Sequence, residues 1–326
     1  MKATAVAPSN IAFIKYWGRK KDPKLRLPEN GSISMNLSNL STTTTVEFNK
    51  NLINDSVMIN GKKESIENNR ALKQIDRIRE LAKIDTKVKI VTENNFPTGT
   101  GLSSSASGFA ALTVAGVSAA GLDFSEKELS ILARQGSGSA CRSIPDGFVE
   151  WLDGDTSETS YAVSLYSGDY WDIVDVVAVT STQEKDVPSS VGHTLAQSSP
   201  FFPMRKNNMA EKIILCKKYL EEKDFRKLGE LTEAEALELH AIYLTSNPSL
   251  LYLLPATLRM MHAVKKWRKD GLSVYFTLNT GQDIHLICEK KNAEKVASLV
   301  SKIEGVQKTI VNNPSKGAHL VNTHLF

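Results

Sequence analysis

The first half of the chain alternates strand-like patterns with three helical ones, the first of them at residues 66–84. Strands are predicted at residues 3–6, 32–37 and 42–48, where apolar or β-branched residues recur between turn residues. Residues 103–120 are rich in Ala and Gly and predict a helix that packs closely on a sheet. Ser125 and Glu128 form a capping-box sequence that predicts the start of the next helix. This half of the chain therefore predicts a sheet covered by helices.

The second half of the chain is mostly helical from residue 189 onward. Amphipathic patterns predict helices near 208–222, 225–240 and 254–269. Strand patterns then return, and further elements are predicted at 272–278, 284–288, 292–303 and 307–311. Because the composition shifts near residue 180 and 326 residues is long for one domain, we expect two domains, 1–180 and 181–326, with a cleft between them.

Composition excludes several classes of protein. Hydrophobic residues make up 41% of the chain and charged residues 23%, and no apolar run approaches the roughly 18 residues that span a membrane. The N-terminal residues lack the apolar core of a signal peptide, so we expect a cytoplasmic protein. The net charge is +4, but no basic block interleaved with aromatic residues indicates nucleic-acid binding. A small anionic ligand accounts better for this mild excess of cations.

The three cysteines predict neither a disulfide framework nor a zinc site. Cys141, Cys216 and Cys288 are few and widely spaced, which is typical of reduced thiols in the cytosol. Cys216 lies in a predicted amphipathic helix, where an exposed thiol would be able to bridge two subunits. An intersubunit disulfide at Cys216 is therefore the alternative.

The loop at residues 97–106, Pro-Thr-Gly-Thr-Gly-Leu-Ser-Ser-Ser-Ala, is the stretch most informative about function. Gly99 and Gly101 permit backbone angles closed to other residues, and the following helix directs its unpaired N–H groups and positive dipole end to the same place. Three consecutive serines add hydroxyls for phosphate oxygens or Mg²⁺. The loop matches neither a Walker A motif nor a Rossmann turn. It predicts a phosphate cradle, with a simple helix-capping turn as the alternative.

Residues 10–20 bring several cations and an aromatic pair into one short span. Lys15, Tyr16 and Arg19 predict a cationic binding edge. The alternative is a surface loop anchored by Trp17 with solvated lysines, and composition alone favours this surface loop.

Two further segments carry polar chemistry. Residues 136–143 combine backbone donors, hydroxyls and the guanidinium of Arg142, a set suited to a carboxylate or a diphosphate, although a Gly/Ser connection with a surface arginine has the same composition. Arg70 can reach the same ligand or lie on its helix surface. Residues 277–283 end a predicted strand in a glycine turn, a place where polar side chains often face a cleft.

Taken together, these segments resemble the diphosphomevalonate decarboxylases of the GHMP kinase superfamily. The most specific matches are Asn-Ile-Ala at 10–12, Lys-Tyr-Trp-Gly at 15–18, Asn-Asn-Phe-Pro at 94–97, Gly-Leu-Ser-Ser-Ser-Ala at 101–106 and Gly-Ser-Gly-Ser-Ala-Cys-Arg-Ser at 136–143. The resemblance covers nearly the whole chain. It implies an α+β GHMP kinase fold, with an N-terminal α/β domain like domain 2 of ribosomal protein S5 and a ferredoxin-like C-terminal domain.

The resemblance also implies a reaction and a set of ligands. Family members, commonly homodimers, use ATP and Mg²⁺ to convert mevalonate 5-diphosphate into isopentenyl diphosphate, carbon dioxide, ADP and phosphate. The implied catalytic residues are Lys15, Arg142, Asn279 and Asp283. Those implied for substrate binding are Tyr16, Arg19, Arg70, Ser137, Gly138, Ser139, Arg142 and Ser189. Those implied for ATP are Asn95, Pro97, Gly99, Gly101, Leu102, Ser103, Ser104 and Ser105, with Ser104 and Ser105 also facing Mg²⁺.

One departure from the family pattern concerns the catalytic carboxylate. The family has an Asp in Phe-Asp-Ala-Gly-Pro-Asn, and the aligned residues 278–283, Leu-Asn-Thr-Gly-Gln-Asp, place Asn279 there. A neutral amide cannot act as a carboxylate base. Three accounts are open: Asp283 reaches around Gly281 to supply the carboxylate, the chain works without one, or the Asn is an engineered substitution. The first is favoured, and strand alternation predicts that Asn279 points where the family's Asp would.

The departure keeps other functions open. A chain without the carboxylate can be a kinase that phosphorylates the 3-hydroxyl and stops, or a decarboxylase that acts on the monophosphate. A nucleotide-binding protein that has lost its chemistry is the non-enzymatic alternative. Smaller differences are Arg19, where the family usually has Lys, and Gln282, where it has Pro.

Overall fold

The two longest strands form the centre of the first sheet. The structure, a computed structural model, describes residues 1–20, 22, 24–183 and 185–326. In it β1 (Lys2–Ile14) pairs antiparallel with β2 (Ser32–Phe48) along nearly its whole length. The opposite edge of β2 pairs with β5 (Val88–Asn94) at one end and with β6 (Phe148–Trp151) at the other. The remaining strands of this sheet are β3 (Ser56–Ile59), β4 (Lys62–Lys63), β7 (Ala162–Tyr166) and β12 (His319–Val321).

Three helices cover one face of this sheet. They are α1 (Arg70–Ala82), α2 (Ser104–Ala119) and α3 (Glu126–Gly136), followed by a 3₁₀ helix at Gly138–Ser143. The small side chains of α2 let it lie directly on β1 and β2, where Ala110 and Ala115 are fully buried. The capping box of α3 is confirmed, because Ser125 Oγ accepts from Glu128 N and Glu128 Oε2 accepts from Ser125 N.

A second, four-stranded antiparallel sheet has the order β11-β8-β10-β9. Its strands are β8 (Ile173–Val179), β9 (Val274–Thr277), β10 (Ile284–Glu289) and β11 (Lys308–Asn312). The helices of this half are α4 (Ser189–Leu195), α5 (Phe202–Glu221), α6 (Phe225–Thr245), α7 (Pro255–Lys269) and α8 (Ala293–Val300). Two sheets with helices on their faces agree with the predicted α+β class.

A shared apolar core holds the two sheets together and fixes the cavity between them. Ile11 and Phe13 of β1 belong to the same buried cluster as Val177 of β8, Tyr275 of β9 and Ile287 of β10. The side chains of β8 alternate, so its other face packs in a separate cluster with helices α7 and α8. The end of β1, the start of α2 and the turn after β9 therefore meet at one place.

The structure differs from the sequence-based predictions mainly in the extent of elements. The strands predicted at 32–37 and 42–48 are one continuous strand, β2. The helix predicted at 66–84 is shorter, because the Asn69 side chain caps it by accepting from Ala71 N and Leu72 N, and Lys83 ends it with a left-handed φ of 54°. The short strands β3, β4, β7 and β12 carry too little pattern to be predicted.

The division of the chain between the two sheets does not fall at the composition shift near residue 180. β8 precedes residue 180 but pairs with β10 and β11 in the second sheet, and β12 returns from the C-terminal end to pair with β1 in the first. A division by sheets therefore falls before Ile173. The domains 1–180 and 181–326 remain a prediction.

The exposed thiol envisaged at Cys216 is wrong. Cys216 is fully buried in the core between the sheets, and Cys141 and Cys288 are buried as well. Burial raises the pKa of each of these thiols. A disulfide from Cys216 to a second subunit would therefore require α5 to rotate until this side chain reached the surface. Within the described residues, no helix is long and apolar enough to cross a membrane.

Candidate active site

A cavity of about 290 Å³ lies where β1, the start of α2 and the turn after β9 meet. Six cationic side chains line it, and the described lining residues include no carboxylate. The predicted site residues in its wall are Lys15, Tyr16, Arg19, Arg70, Gly99, Gly101, Ser103, Ser104, Ser105, Ser137, Gly138, Ser139, Arg142, Ser189 and Asn279. Such a wall favours a ligand with several negative charges.

The Gly/Ser loop presents the start of α2 to this cavity. Gly99 and Gly101 have φ angles of 79° and 119°, and Ser103 is left-handed at 57°. Within the described residues, no side chain caps the helix, and its first turn contains no acidic residue. Free N–H groups, the helix dipole and the hydroxyls of Ser104 and Ser105 therefore fit phosphate oxygens.

Arg142 is a buried cation held by neutral groups. Its guanidinium donates to Asn10 Oδ1 at 3.0 Å, Ser32 Oγ at 2.7 Å and Ser34 Oγ at 3.1 Å, which are on β1 and β2. No carboxylate of the described chain lies within ion-pair distance of it. Burial lowers its pKa. Because an unpaired buried charge is costly, this guanidinium is prepared for an anionic ligand.

Three more arginines line the outer part of the cavity. Arg19 Nε donates to Tyr16 Oη at 2.8 Å, Arg26 Nε to Gln135 O at 2.9 Å, and Arg70 Nη2 to Gly136 O at 3.2 Å. Burial and the charges of Arg19 and Arg70 lower the pKa of Arg26 to about 10. Across the described residues none of the three forms an ion pair, so an added anion would offset their mutual repulsion.

Lys15 and Asn279 meet at the inner end of the cavity. Lys15 Nζ donates to Ala12 O at 2.6 Å and to Asn279 Oδ1 at 3.2 Å, and Asn279 Nδ2 donates to Ser103 Oγ at 3.0 Å. Lys15 is buried, so the surface loop with solvated lysines that composition favoured is wrong, although Trp17 is indeed an anchor in the core. Burial holds the pKa of Lys15 well below its usual value, and Arg142 and Arg205 lower it further, against Glu235 and Asp175.

A buried ion pair fixes the backbone of Lys15. Glu235 Oε1 on α6 accepts from Lys15 N at 3.1 Å, and Arg205 Nη2 on α5 donates to Lys15 O at 3.0 Å. The two side chains bind each other at 2.6 Å, and Lys212 also binds Glu235. Although burial acts to raise it, Arg205 and Lys212 hold the pKa of Glu235 below its usual value. The carboxylate is thus occupied away from Lys15 Nζ.

Lys185, before α4, and His193, within α4, are wall residues that the sequence did not single out. Lys185 Nζ donates to Ser189 Oγ at 2.7 Å and to Thr280, and Lys185 N donates to Gly99 O at 3.3 Å, which brings it beside the Gly/Ser loop. Burial lowers the pKa of Lys185 to about 8. His193 stacks between Tyr16 and Trp17, with ring centroids 4.3 and 4.2 Å away.

Two glycines bring the Gly/Ser loop against the turn after β9. A Cβ on Gly101 would lie 2.5 Å from Gly281 Cα, and Gln282 N donates to Thr100 O at 3.1 Å. The approach requires glycine on both sides. It places Asn279 next to the start of α2.

Four predicted site residues do not line the cavity. Asp283 is buried behind it, where its Oδ1 accepts from Thr180 N at 2.8 Å, so the expectation that it reaches around Gly281 is wrong in this structure. Burial raises its pKa. Leu102 packs in the core between the sheets. Asn95 is exposed and accepts from Ser41 N, and Pro97 lies at the base of the loop.

Sequence reasoning missed several wall residues. They are Ala12, Arg26, Lys185, Pro188, Ser190, His193, Leu239, Tyr243 and Thr280. Ala12 lay within a quoted motif and Thr280 beside Asn279, so proximity was their only signal. The others come from segments without a motif, and the fold alone brings them to the cavity.

The fold and the site define a protein of the GHMP kinase type, in which a Gly/Ser loop and a cation-lined cavity lie between two α+β units. Residues 7–162 match the family model "Diphosphomevalonate decarboxylase-like N-terminal domain", and residues 175–323 match "Mevalonate 5-diphosphate decarboxylase C-terminal domain". The diphosphomevalonate decarboxylase of Candida albicans is 36% identical, over 92% of this chain and 88% of its own length. The chain belongs to the diphosphomevalonate decarboxylase family.

Solved structures agree with this assignment. Mevalonate diphosphate decarboxylase from Staphylococcus aureus superimposes with a TM-score of 0.92 at 37% identity, covering 98% of both chains. The structure of MDDEF in complex with MVAPP, AMPPCP and magnesium gives a TM-score of 0.93 at 34% identity, covering 99% of both chains.

Proposed function

We propose that this chain catalyses the ATP-dependent decarboxylation of mevalonate 5-diphosphate to isopentenyl diphosphate, with carbon dioxide, ADP and phosphate as the other products. The observation that carries the proposal is the cavity itself, where six lysine and arginine side chains and the start of α2 converge without a lining carboxylate among the described residues. Its ligands are then polyanions. One relative binds such a pair, since MDDEF forms a complex with MVAPP, AMPPCP and magnesium.

The substrate's two ends are assigned to different cations. Arg142 offers a buried guanidinium to the carboxylate, because its neutral partners leave its charge unmatched. The diphosphate is assigned to the outer arginines and to the polar groups of the wall. These groups are Tyr16, Arg19, Arg70, Ser137, Gly138, Ser139 and Ser189.

ATP is assigned to the Gly/Ser loop. Gly99, Gly101 and Ser103 give the loop its shape, and Ser104 and Ser105 offer hydroxyls at the helix start. Lys185, across the loop, supplies a positive charge for the phosphates. The Ser104 and Ser105 hydroxyls also suit Mg²⁺, which prefers oxygen ligands and would neutralise phosphate charge when bound.

The residue types match the chemistry that decarboxylation of a tertiary 3-hydroxy acid requires. The hydroxyl oxygen takes a phosphoryl group from ATP and so becomes a leaving group. The C1–C2 bond then breaks as carbon dioxide departs, its electrons form the C2=C3 double bond, and the C3–O bond breaks to release phosphate. Positioning and charge complementarity do most of this work, which is why the wall is built of fixed cations.

Product analysis tests the proposal. The chain is incubated with ATP, Mg²⁺ and mevalonate 5-diphosphate, and the products are identified by mass spectrometry, with mevalonate 5-phosphate offered in a parallel reaction. We expect isopentenyl diphosphate from the diphosphate. A 3-phosphorylated substrate that keeps its carboxylate would mean that the chain is a kinase. Faster turnover of mevalonate 5-phosphate would make the monophosphate the substrate. ATP binding without ADP release would mean a protein that has lost its catalytic activity.

The homodimer and the cytoplasmic location remain predictions. Both follow from the sequence and its family resemblance. Light scattering of the purified chain would measure the mass of the particle against the 35.9 kDa of one chain.

A further inference from the structure

The proposed reaction requires a group that takes the proton of the C3 hydroxyl, and the cavity wall provides few choices. No Asp or Glu is among the described residues that line it. The nearby carboxylates are engaged elsewhere: Glu235 with Arg205 and Lys212, Asp283 with the backbone at Thr180, and Asp175 with His285 and Asn312. The acceptor must be another type of group.

The contacts of Lys15 Nζ are compatible with an uncharged amine. A neutral amine has two N–H groups and one lone pair. Lys15 Nζ donates to two oxygens, Ala12 O at 2.6 Å and Asn279 Oδ1 at 3.2 Å. In an uncharged amine these two bonds use both hydrogens, which leaves the lone pair for the cavity that Lys15 lines. A lone pair there can accept a proton from a bound hydroxyl.

Asn279 is the residue that permits this state. Its amide is oriented by Nδ2, which donates to Ser103 Oγ at 3.0 Å, and by its backbone oxygen, which lies 3.2 Å from His240 Nε2. The side-chain oxygen that faces Lys15 carries no full charge. A carboxylate in the same place would hold the lysine as an ammonium ion.

The charges around Lys15 come from four elements. Arg142 on the 3₁₀ helix and Arg205 on α5 oppose a positive charge, while Glu235 on α6 and Asp175 on β8 favour one. His240 on α6 is also close, and burial lowers its own pKa to about 4, so it is neutral. Burial is the largest influence, and it holds the pKa of Lys15 well below its usual value.

We propose that the uncharged ε-amine of Lys15 is the proton acceptor for the C3 hydroxyl, in place of a carboxylate at position 279. The inference rests on the proposed function. The amine lone pair takes the hydroxyl proton, the freed oxygen bonds to the γ-phosphorus of ATP, and the bond to the β-phosphate breaks with its electron pair leaving on ADP. Lys15 becomes an ammonium ion and releases its proton to solvent after the products leave.

The pH dependence of kcat in the chain and in Asn279→Asp is the first test. In the chain, the rate should fall as pH falls through the pKa of Lys15, because only the unprotonated amine accepts the proton. In Asn279→Asp a carboxylate is present and the lysine is held as a cation, so the acid limb should move to lower pH. Acid limbs at the same pH in both proteins would overturn the proposal.

Two substitutions at Lys15 separate a base from a fixed charge. Lys15→Arg keeps a cation that cannot lose its proton, and kcat should fall by roughly 10²- to 10⁴-fold. Lys15→Ala should recover rate when ethylamine is added, in proportion to the uncharged amine as pH rises. Activity of Lys15→Arg within tenfold of the starting chain, or rescue that follows the ammonium form, would show a purely electrostatic role and overturn the proposal. Thermal unfolding and nucleotide binding of both variants establish that they fold.

The outcomes also separate this inference from the proposed function. If the chain forms isopentenyl diphosphate but the Lys15 tests fail, the function stands and only the inference is lost. If Asn279→Asp turns over while the starting chain does not, Lys15 is no base, and the reaction is that of the substituted protein. If neither forms the product, the proposed function itself is wrong.

Discussion

At the residue scale, the cavity cations differ in how they are held. Arg142 has three neutral acceptors, Lys15 has two carbonyl oxygens, and Lys185 has hydroxyl and carbonyl partners. In the described part of the chain none of these is matched by a carboxylate. These polar groups are therefore available to a ligand, at a cost in folding free energy that the ligand offsets.

Arg142→Lys tests the carboxylate assignment. A lysine keeps the charge but loses the planar fork and part of the hydrogen bonding to Asn10, Ser32 and Ser34. We expect KM for mevalonate 5-diphosphate to rise about 10- to 100-fold, since a charge-assisted hydrogen bond contributes roughly 1.5–3 kcal/mol, with little change in KM for ATP. Steady-state kinetics measures both. Arg226→Lys, at an exposed position, is the control, and an unchanged substrate KM in Arg142→Lys would contradict the assignment.

His240 predicts a pH-dependent stability. Burial lowers its pKa to about 4, below the 6.5 of an unfolded histidine. The unfolded chain therefore binds more protons, and stability is lost as pH falls from 6.5 toward 4. At pH 5 this loss is about 2 kcal/mol. Because glutamine at position 240 cannot titrate, the unfolding temperature of His240→Gln should fall less between pH 7.5 and pH 5 than that of the unsubstituted chain. Equal falls in the two proteins would contradict the lowered pKa of His240.

At the element scale, the position of Lys15 depends on two helices remote from it in sequence. Arg205 of α5 and Glu235 of α6 hold its backbone oxygen and nitrogen. The sequence predicted both helices but not this contact, because a salt bridge between helices leaves no periodic signal. The same is true of Arg26 and Lys185, which reach the cavity from segments without a motif. In contrast, the motifs at 97–106 and 136–143 were visible because each is continuous in sequence.

Glu235→Gln tests this ion pair as the support of Lys15. Removing one partner leaves Arg205 buried without its main counter-charge, which typically costs about 3–5 kcal/mol. We expect the free energy of unfolding, measured in urea, to fall by about that amount. We also expect kcat to fall, because Lys15 loses its fixed position. Glu238→Gln is the matched control, because Glu238 binds the same Arg205 and Lys212 but is partly exposed. Glu238→Gln should lower the free energy of unfolding by about 1 kcal/mol or less. Equal losses of stability in the two variants would contradict the special role of the buried pair.

Gly281→Ala tests the contact between the Gly/Ser loop and the turn after β9. An added Cβ would lie 2.2 Å from Gly101 Cα and 2.3 Å from Thr100 O, so the loop must move away. We expect KM for ATP to rise at least tenfold. Gly108→Ala in α2 is the control, because its Cβ would meet nothing within 4 Å, and it should leave ATP binding unchanged while adding about 0.5–1 kcal/mol of stability. Similar ATP affinities for the two variants would contradict this account.

At the scale of the whole molecule, two sheets share one core and leave a cation-lined cavity at their junction. The family and its fold were predictable, since the motifs are specific and lie in order along the chain. The assignment of strands to the two sheets was not, because β12 returns to the first sheet and β8, which precedes the shift in composition, belongs to the second. Nor was the place of Asp283, whose side chain binds the backbone at Thr180 rather than facing the cavity.

The most direct measurement follows carbon dioxide and ADP together. The chain is supplied with ATP, Mg²⁺ and mevalonate 5-diphosphate labelled with ¹³C at the carboxyl carbon, and both products are quantified over time. We expect one labelled carbon dioxide for each ADP, despite the amide at position 279. ADP without labelled carbon dioxide, or neither product, would contradict it.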